Sequence, residues 1–144
     1  MRDPELSSSS VDAESFLPAL AAGALDSCLA YLNRADSDGR SDALPNCRLA
    51  EALLHQSRGN EAVACIRRAL PWAGSDAAML RICAWVLSNC GCHAEAADAY
   101  RRLTELCPDA IEFYRHASGS LAAIGQFDDA IADGKRASDP LAWR

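Results

Sequence analysis

Residues 89–93 read asparagine, cysteine, glycine, cysteine, histidine, and so place two thiols and an imidazole (Cys90, Cys92 and His93) within four residues. Cysteine sulfur and imidazole nitrogen are ligands for zinc, and a thiol pair is also a substrate for redox chemistry. A structural zinc takes four such donors, and only three are local. The other cysteines, Cys28, Cys47, Cys65, Cys83 and Cys107, are scattered, and the total of seven is odd. A disulfide between Cys90 and Cys92 would be strained. The N-terminus, Met1 to Ser10, carries acids and no apolar signal segment, so reduced thiols in a cytoplasmic setting are expected. His55, His93 and His116 have no carboxylate or nucleophile at a recognisable catalytic spacing.

Other chemistry leaves no trace. The chain contains no nucleophile elbow, zincin helix, phosphate loop or dinucleotide fingerprint. The glycines of Gly119 to Gly125 fall inside a predicted helix, where they cannot wrap a phosphate. The expectation is a protein that is not an enzyme, with no catalytic residue, no cofactor and no metal ligand. The 144 residues carry a net charge of −6, which disfavours nucleic acid as a partner. The longest apolar run, Phe16 to Leu25, is about half of a bilayer span and is broken by Pro18 and Gly23, so membrane insertion is not expected. Half the residues are hydrophobic and 24% are charged, as in an ordinary soluble domain. The basic residues are arginine apart from Lys135, and alanine is abundant, a composition that suggests a bacterial source.

The elements that hold these residues follow from a period. Three helix-compatible segments place alanine at Ala62, Ala96 and Ala130, a spacing of 34 residues each time. An acid precedes each alanine (Glu61, Glu95, Asp129), and a basic pair follows each (Arg67 and Arg68, Arg101 and Arg102, Lys135 and Arg136). Extended backwards, the frame puts Cys28 in the alanine slot and Gly23 in the slot of Gly91 and Gly125.

With these residues in place the chain resembles the tetratricopeptide repeat family, whose 34-residue unit prefers apolar residues at positions 4, 7, 8, 11, 20, 24 and 27 and proline at 32. Residues 77–110 fit with Leu80, Cys83, Ala84, Leu87, Ala96, Tyr100, Leu103 and Pro108. Residues 43–76 supply Asn46, Leu49, Ala50, Leu53, Ala62, Ile66 and Ala69, with Gly74 in place of proline. Residues 111–144 supply Tyr114, Ala117, Ser118, Leu121, Ala130 and Ala137. They depart from the pattern at Gly134, and Pro140 comes early, so a weakly packed last helix is expected. Residues 9–42 form a degenerate unit that keeps Phe16, Ala19, Leu32 and Ala35 but has Pro18 where it should kink or shorten the first helix. Residues 1–8 read as a disordered lead.

The resemblance implies an all-α, right-handed α-solenoid of antiparallel helix pairs. Each helix would be marginal alone and would be stabilised by stacking on its neighbours. In that frame Cys90 to His93 form the turn between paired helices, where the neighbouring units have Gln56 to Gly59 and Ile124 to Phe127. Gly91 then has a backbone reason to be glycine. Acids at the start and basic pairs near the end of each second helix match the helix dipole on a solvated face, with Asp98 in reach of Arg101 and Arg102. The sharper alternative is a cationic ladder that recruits an acidic partner.

The resemblance also implies a concave groove lined by the first helix of each unit. It would present Cys47, Arg48, Glu51 and His55, then Arg81, Ile82, Trp85 and Asn89, then Glu112, Arg115, His116, Ala122 and Ala123. The protein-binding set is Arg48, Glu51, His55, Arg81, Trp85, Asn89, Arg115 and His116. Trp85 fits either a binding anchor or packing between repeats. The Lys and Asn set with which some family members grip a C-terminal carboxylate is not reproduced. The expected function is a non-catalytic adaptor, or scaffold, for a protein or peptide with some acidic character. The alternatives are the recognition part of a larger enzyme such as a transferase, and a small secretion-system chaperone. Leu141 and Trp143 look like the opening of a further helix with no polar cap after it, so the expectation is either a chain cut from a longer protein, with further domain packing at the C-terminal end, or an end that packs on a partner or a second copy.

Overall fold

A computed structural model of the chain describes residues 11–138. Among the described residues all regular structure is helical: α1 (Phe16–Ala21), α2 (Leu25–Ser37), α3 (Ala43–His55), α4 (Gly59–Ala73), α5 (Ala77–Asn89), α6 (His93–Leu106), α7 (Ile111–Ala123) and α8 (Phe127–Ser138). The expected lead of residues 1–8 and the closing Pro140, Leu141 and Trp143 lie outside the described residues. The chain forms two compact units, one ending at Trp72 and one beginning at Ala73. In the first, α1 packs on α2 and α3, and α2 on α3; in the second, α5, α6, α7 and α8 each pack on the next.

Burial follows the recurring slots. Leu49, Ala50, Leu53, Ala62, Ile66 and Ala69 are fully buried in the first unit, and Leu80, Cys83, Ala84, Leu87, Ala96 and Leu103 in the second. Alanine at positions 62 and 96 lets helix backbones approach closely, while leucine and isoleucine on the facing helices fill the space. Asn46 is a buried polar residue in an apolar slot; its amide nitrogen donates to the Asp42 carbonyl at 2.8 Å.

The turns within the helix pairs share one geometry. Gly23, Ser57, Gly91 and Gly125, spaced 34 residues apart, all have left-handed φ, of +81°, +61°, +79° and +83°. At each, the next amide reaches back five residues, as from Cys92 to the Leu87 carbonyl at 2.9 Å and from Arg58 to Leu53 at 2.8 Å. The turn residue's own amide reaches back three residues, as from Gly91 to Ser88. This is the Schellman closure, which satisfies the last carbonyls of a helix and requires positive φ at the turn residue. Glycine meets that requirement freely; Ser57 adopts it against its Cβ.

α1 is only six residues long. Pro18 sits in its first turn, where a missing N–H is harmless; a helix begun earlier would need that N–H and would clash with the pyrrolidine ring. Ahead of it, the Asp12 amide donates to Ser15 Oγ at 2.8 Å and the Ser15 amide donates to Asp12 Oδ1 at 2.9 Å. This reciprocal pair starts the chain turning and holds the Asp12 carboxyl below its ordinary range.

The basic pairs differ from the dipole reading. No basic residue lies in the last turn of α4 or α6; only Lys135 and Arg136 of α8 do. Arg68 donates to Asn33 Oδ1 at 2.7 Å, and Arg102 to the Gly74 carbonyl at 2.9 Å, so each ties its helix to an earlier segment of its own unit. Arg101 lies 3.6 Å from the buried carboxylate of Asp133 on α8, and that is its ion pair rather than Asp98. The acids do begin their helices, with Glu61, Glu95 and Asp129 in first turns. Gly134 has a packing reason that the period did not reveal. A Cβ there would come within 3.2 Å of Ser118 Oγ, which itself donates to the Ala130 carbonyl at 2.7 Å. A small residue on α8 thus matches a small, hydrogen-bonded residue on α7.

Candidate protein-binding faces

In the second unit Arg81, Trp85 and Asn89 lie at i, i+4 and i+8 on α5, a spacing that keeps them on one side of the helix. Their side of the helix is exposed, and Trp85 keeps 38% of its surface in solvent. Asn89 donates its side-chain amide to the Trp85 carbonyl at 2.8 Å. The Arg81 guanidinium stands over the Phe113 ring of α7, 6.0 Å from its centre. Held by a ring, Arg81 forms no ion pair among the described residues. Arg115 of α7 is exposed and likewise forms none. His116 stacks on Tyr100 of α6 with ring centres 5.0 Å apart and planes at 21°. Burial pushes the Tyr100 hydroxyl up, and the charge of Arg81 pulls the other way.

In the first unit Arg48 and His55 are exposed on α3 and Glu51 is half-buried. Arg48 and Glu51 form an ion pair at 3.4 Å across one turn. Cys47 does not join this face: it is fully buried, because at its place on α3 the side chain points into the packed interior with Asn46 and Ala50. Ile82 is half-buried, whereas Glu112, Ala122 and Ala123 are exposed.

A charge cluster on the first unit was not anticipated. Arg58, in the turn before α4, bonds Asp26 of α2 at 2.6 Å and Glu61 of α4 at 2.6 and 2.9 Å. The only signal in the sequence was Glu61 in the acidic slot; its partners depend on a helix two elements away. The Arg58 guanidinium in turn holds the Glu61 carboxyl below its usual range.

The cysteine–histidine stretch forms the turn between α5 and α6, with Cys90 closing α5 and Cys92 preceding α6. Burial pushes the Cys90 thiol up, and the nearby Cys92 adds to that. Burial likewise raises Cys28 and Cys65, against the pull of Arg68 on the latter. A raised thiol holds little thiolate at neutral pH and is a poor nucleophile. The described residues contain no cluster of three or more His, Cys, Asp and Glu side chains that could hold a metal ion. No helix among them is long and apolar enough to cross a membrane.

Neither models of protein families nor curated protein sequences match the chain. Solved structures do. A crystal structure of MamA protein is similar with a TM-score of 0.63 and 20% sequence identity over 85% of this chain and 65% of that one. A second crystal structure of MamA gives a TM-score of 0.64 and 19% identity over 92% of this chain and 80% of that one. The MamA AMB-1 P212121 structure gives 0.65 and 18% over 88% and 74%. The chain thus spans slightly less than two thirds of the first of these proteins. At such identities the likeness is one of fold, and with the helix pairs and Schellman turns described above it makes this chain an all-α, tetratricopeptide-like solenoid of helix hairpins.

Proposed function

We propose that the chain is a non-catalytic adaptor, a tetratricopeptide-like module whose units span residues 9–42, 43–76, 77–110 and 111–144, and that it acts in the bacterial cytoplasm. Its partner is a protein or peptide segment that lies along the face of α5 and α7, on Arg81, Trp85, Asn89, Arg115 and His116. Arg48, Glu51 and His55 offer a further contact face on α3. The supporting observation is the pairing of a half-exposed tryptophan with an arginine held over a ring. Tryptophan and arginine are both enriched among the residues that dominate binding energy. With its guanidinium over Phe113, Arg81 keeps its N–H groups available for a partner carboxylate. Arg115 adds positive charge on the neighbouring helix, so the partner segment carries acids beside an apolar or aromatic residue. Stacked helix pairs provide extended surfaces of this kind.

The test is affinity capture followed by quantitative mass spectrometry, comparing the intact protein with a Trp85→Ala, Arg81→Ala double variant of unchanged unfolding midpoint. A partner lost from the variant is expected. An identical partner set at identical recovery would show that this face does not bind.

A further inference from the structure

In the recurring frame the slot held by Cys65 on α4 and Ala99 on α6 falls at Asp133 on α8. All three are buried, at 0%, 2% and 4% exposure. One helix of the three thus carries a carboxylate where the others carry a small apolar side chain. This carboxylate is incompletely satisfied. Its Oδ2 accepts no hydrogen bond among the described residues. Arg101 of α6 lies 3.6 Å from Oδ2 and Arg136 of α8 lies 3.8 Å from Oδ1, both beyond hydrogen-bond reach. The two guanidinium groups are about half exposed, so water weakens their pull. The cost of taking the carboxylate out of water is therefore only partly offset.

The rest of α8 supplies little burial of its own. α6 buries Ala96, Ala97, Ala99, Tyr100 and Leu103. Of the α8 side chains described, only Ala130 and Asp133 are buried. The slot of Ile66 and Tyr100 holds Gly134, and Ile131 is 55% exposed where Val63 and Ala97 are buried. α8 is held by close approach instead, with Ser118 Oγ on the Ala130 carbonyl at 2.7 Å. What it covers is apolar: Ala130 forms one buried cluster with Ala97 of α6 and Leu121 of α7. A helix with few buried apolar side chains belongs to the part of a fold that opens locally, ahead of the rest.

We propose that α8 is a releasable strap and that Asp133 sets how readily it opens. The helix leaves as a unit, hinged at the turn of Gly125, while α5, α6 and α7 stay packed. Closed, it covers Ala97 and Leu121. Open, it bares them and returns the Asp133 carboxylate to water. That regained hydration favours opening, relative to a helix with alanine or cysteine in the same slot. Arg101 and Arg136 are exposed already and lose little. The strap governs how much apolar surface of α6 and α7 the second unit presents, and it does not depend on the α5 and α7 binding face.

The test is native-state hydrogen exchange of the full chain, read amide by amide by NMR at several low urea concentrations. It compares wild type with Asp133→Ala and with Asp133→Cys, which copies the slot of Cys65. In wild type the α8 amides should share one opening, at least about tenfold more frequent than that of α5 and α6. This opening should depend less on urea than global unfolding does, because releasing one helix exposes less surface. Each substitution should slow α8 exchange by about tenfold or more. The unfolding midpoint of each variant shows that the fold is kept. A carboxylate that fastens the closed helix predicts the opposite sign. Unchanged or faster α8 exchange in both variants would overturn the proposal. So would wild-type α8 amides that exchange only with those of α5 and α6, at the same urea dependence.

Discussion

The α1–α2 hairpin and the α5–α6 hairpin are built on the same frame and end their first helices in the same Schellman turn, at Gly23 and at Gly91. α5 runs thirteen residues into its turn and buries Leu80, Cys83, Ala84, Val86 and Leu87. α1 runs six and buries Phe16 alone. One proline accounts for much of the difference, because Pro18 is tolerated only near a helix start. A repeat can therefore keep its turn and its second helix while losing half of its first. Beside the short α1, Leu17 and Leu44 are exposed rather than part of the core.

The sharpest way to break this contrast is truncation on either side of it. Leu87→Ala in α5 removes a fully buried side chain and should cost about 2–5 kcal/mol. Leu17→Ala in α1 should stay within about 0.5 kcal/mol. Urea unfolding of the two variants measures both, and equal losses would mean that α1 is packed as tightly as α5. Next in size, Gly134→Leu on α8 drives a side chain against Ser118 and should cost about 1–3 kcal/mol. A neutral outcome would show that the close approach of α7 and α8 is not required.

A subtler comparison is between turns. Ser57 and Gly91 have the same conformation with and without a Cβ. Gly91→Ala should destabilise by about 1–2 kcal/mol, and Ser57→Gly should relieve strain of similar origin, offset in part by the greater freedom of an unfolded glycine. Thermal unfolding of both variants reads the two signs; a stabilising Gly91→Ala would contradict the shared geometry.

The smallest effect is electrostatic. Glu61 has its folded pKa lowered by Arg58, so its contribution is present above the unfolded glutamate value of about 4.3 and fades as pH falls through the lower folded value. The stability gap between wild type and Glu61→Gln should therefore close on acidification. A gap that persists at the lowest pH would assign the effect to packing instead of charge.

Much of the fold was legible because the slots at Ala62, Ala96 and Ala130 impose a spacing that only stacked helix pairs explain. The cysteine–histidine stretch became a turn as soon as Gly91 was aligned with Gly23 and Gly125. Partners were harder to read. The slots say that Arg68 and Arg102 recur, but their acceptors, Asn33 and the Gly74 carbonyl, belong to segments about thirty residues earlier. Gly134 looked like a defect because its counterpart, Ser118, occupies a slot on another helix. Cys47 was assigned outward by position, whereas its small apolar side chain is fully buried. The proposed binding residues were placed by resemblance, and their geometry adds what a position cannot: Arg81 over Phe113, and His116 against Tyr100.

The central claim is that α5 and α7 present the binding face of the second unit. Hydrogen exchange of the protein alone and with a captured partner tests it directly. Slower exchange confined to α5, α7 and the ends of their turns is the expected result. Protection that falls on α6 and α8 instead, with α5 and α7 unchanged, would contradict it.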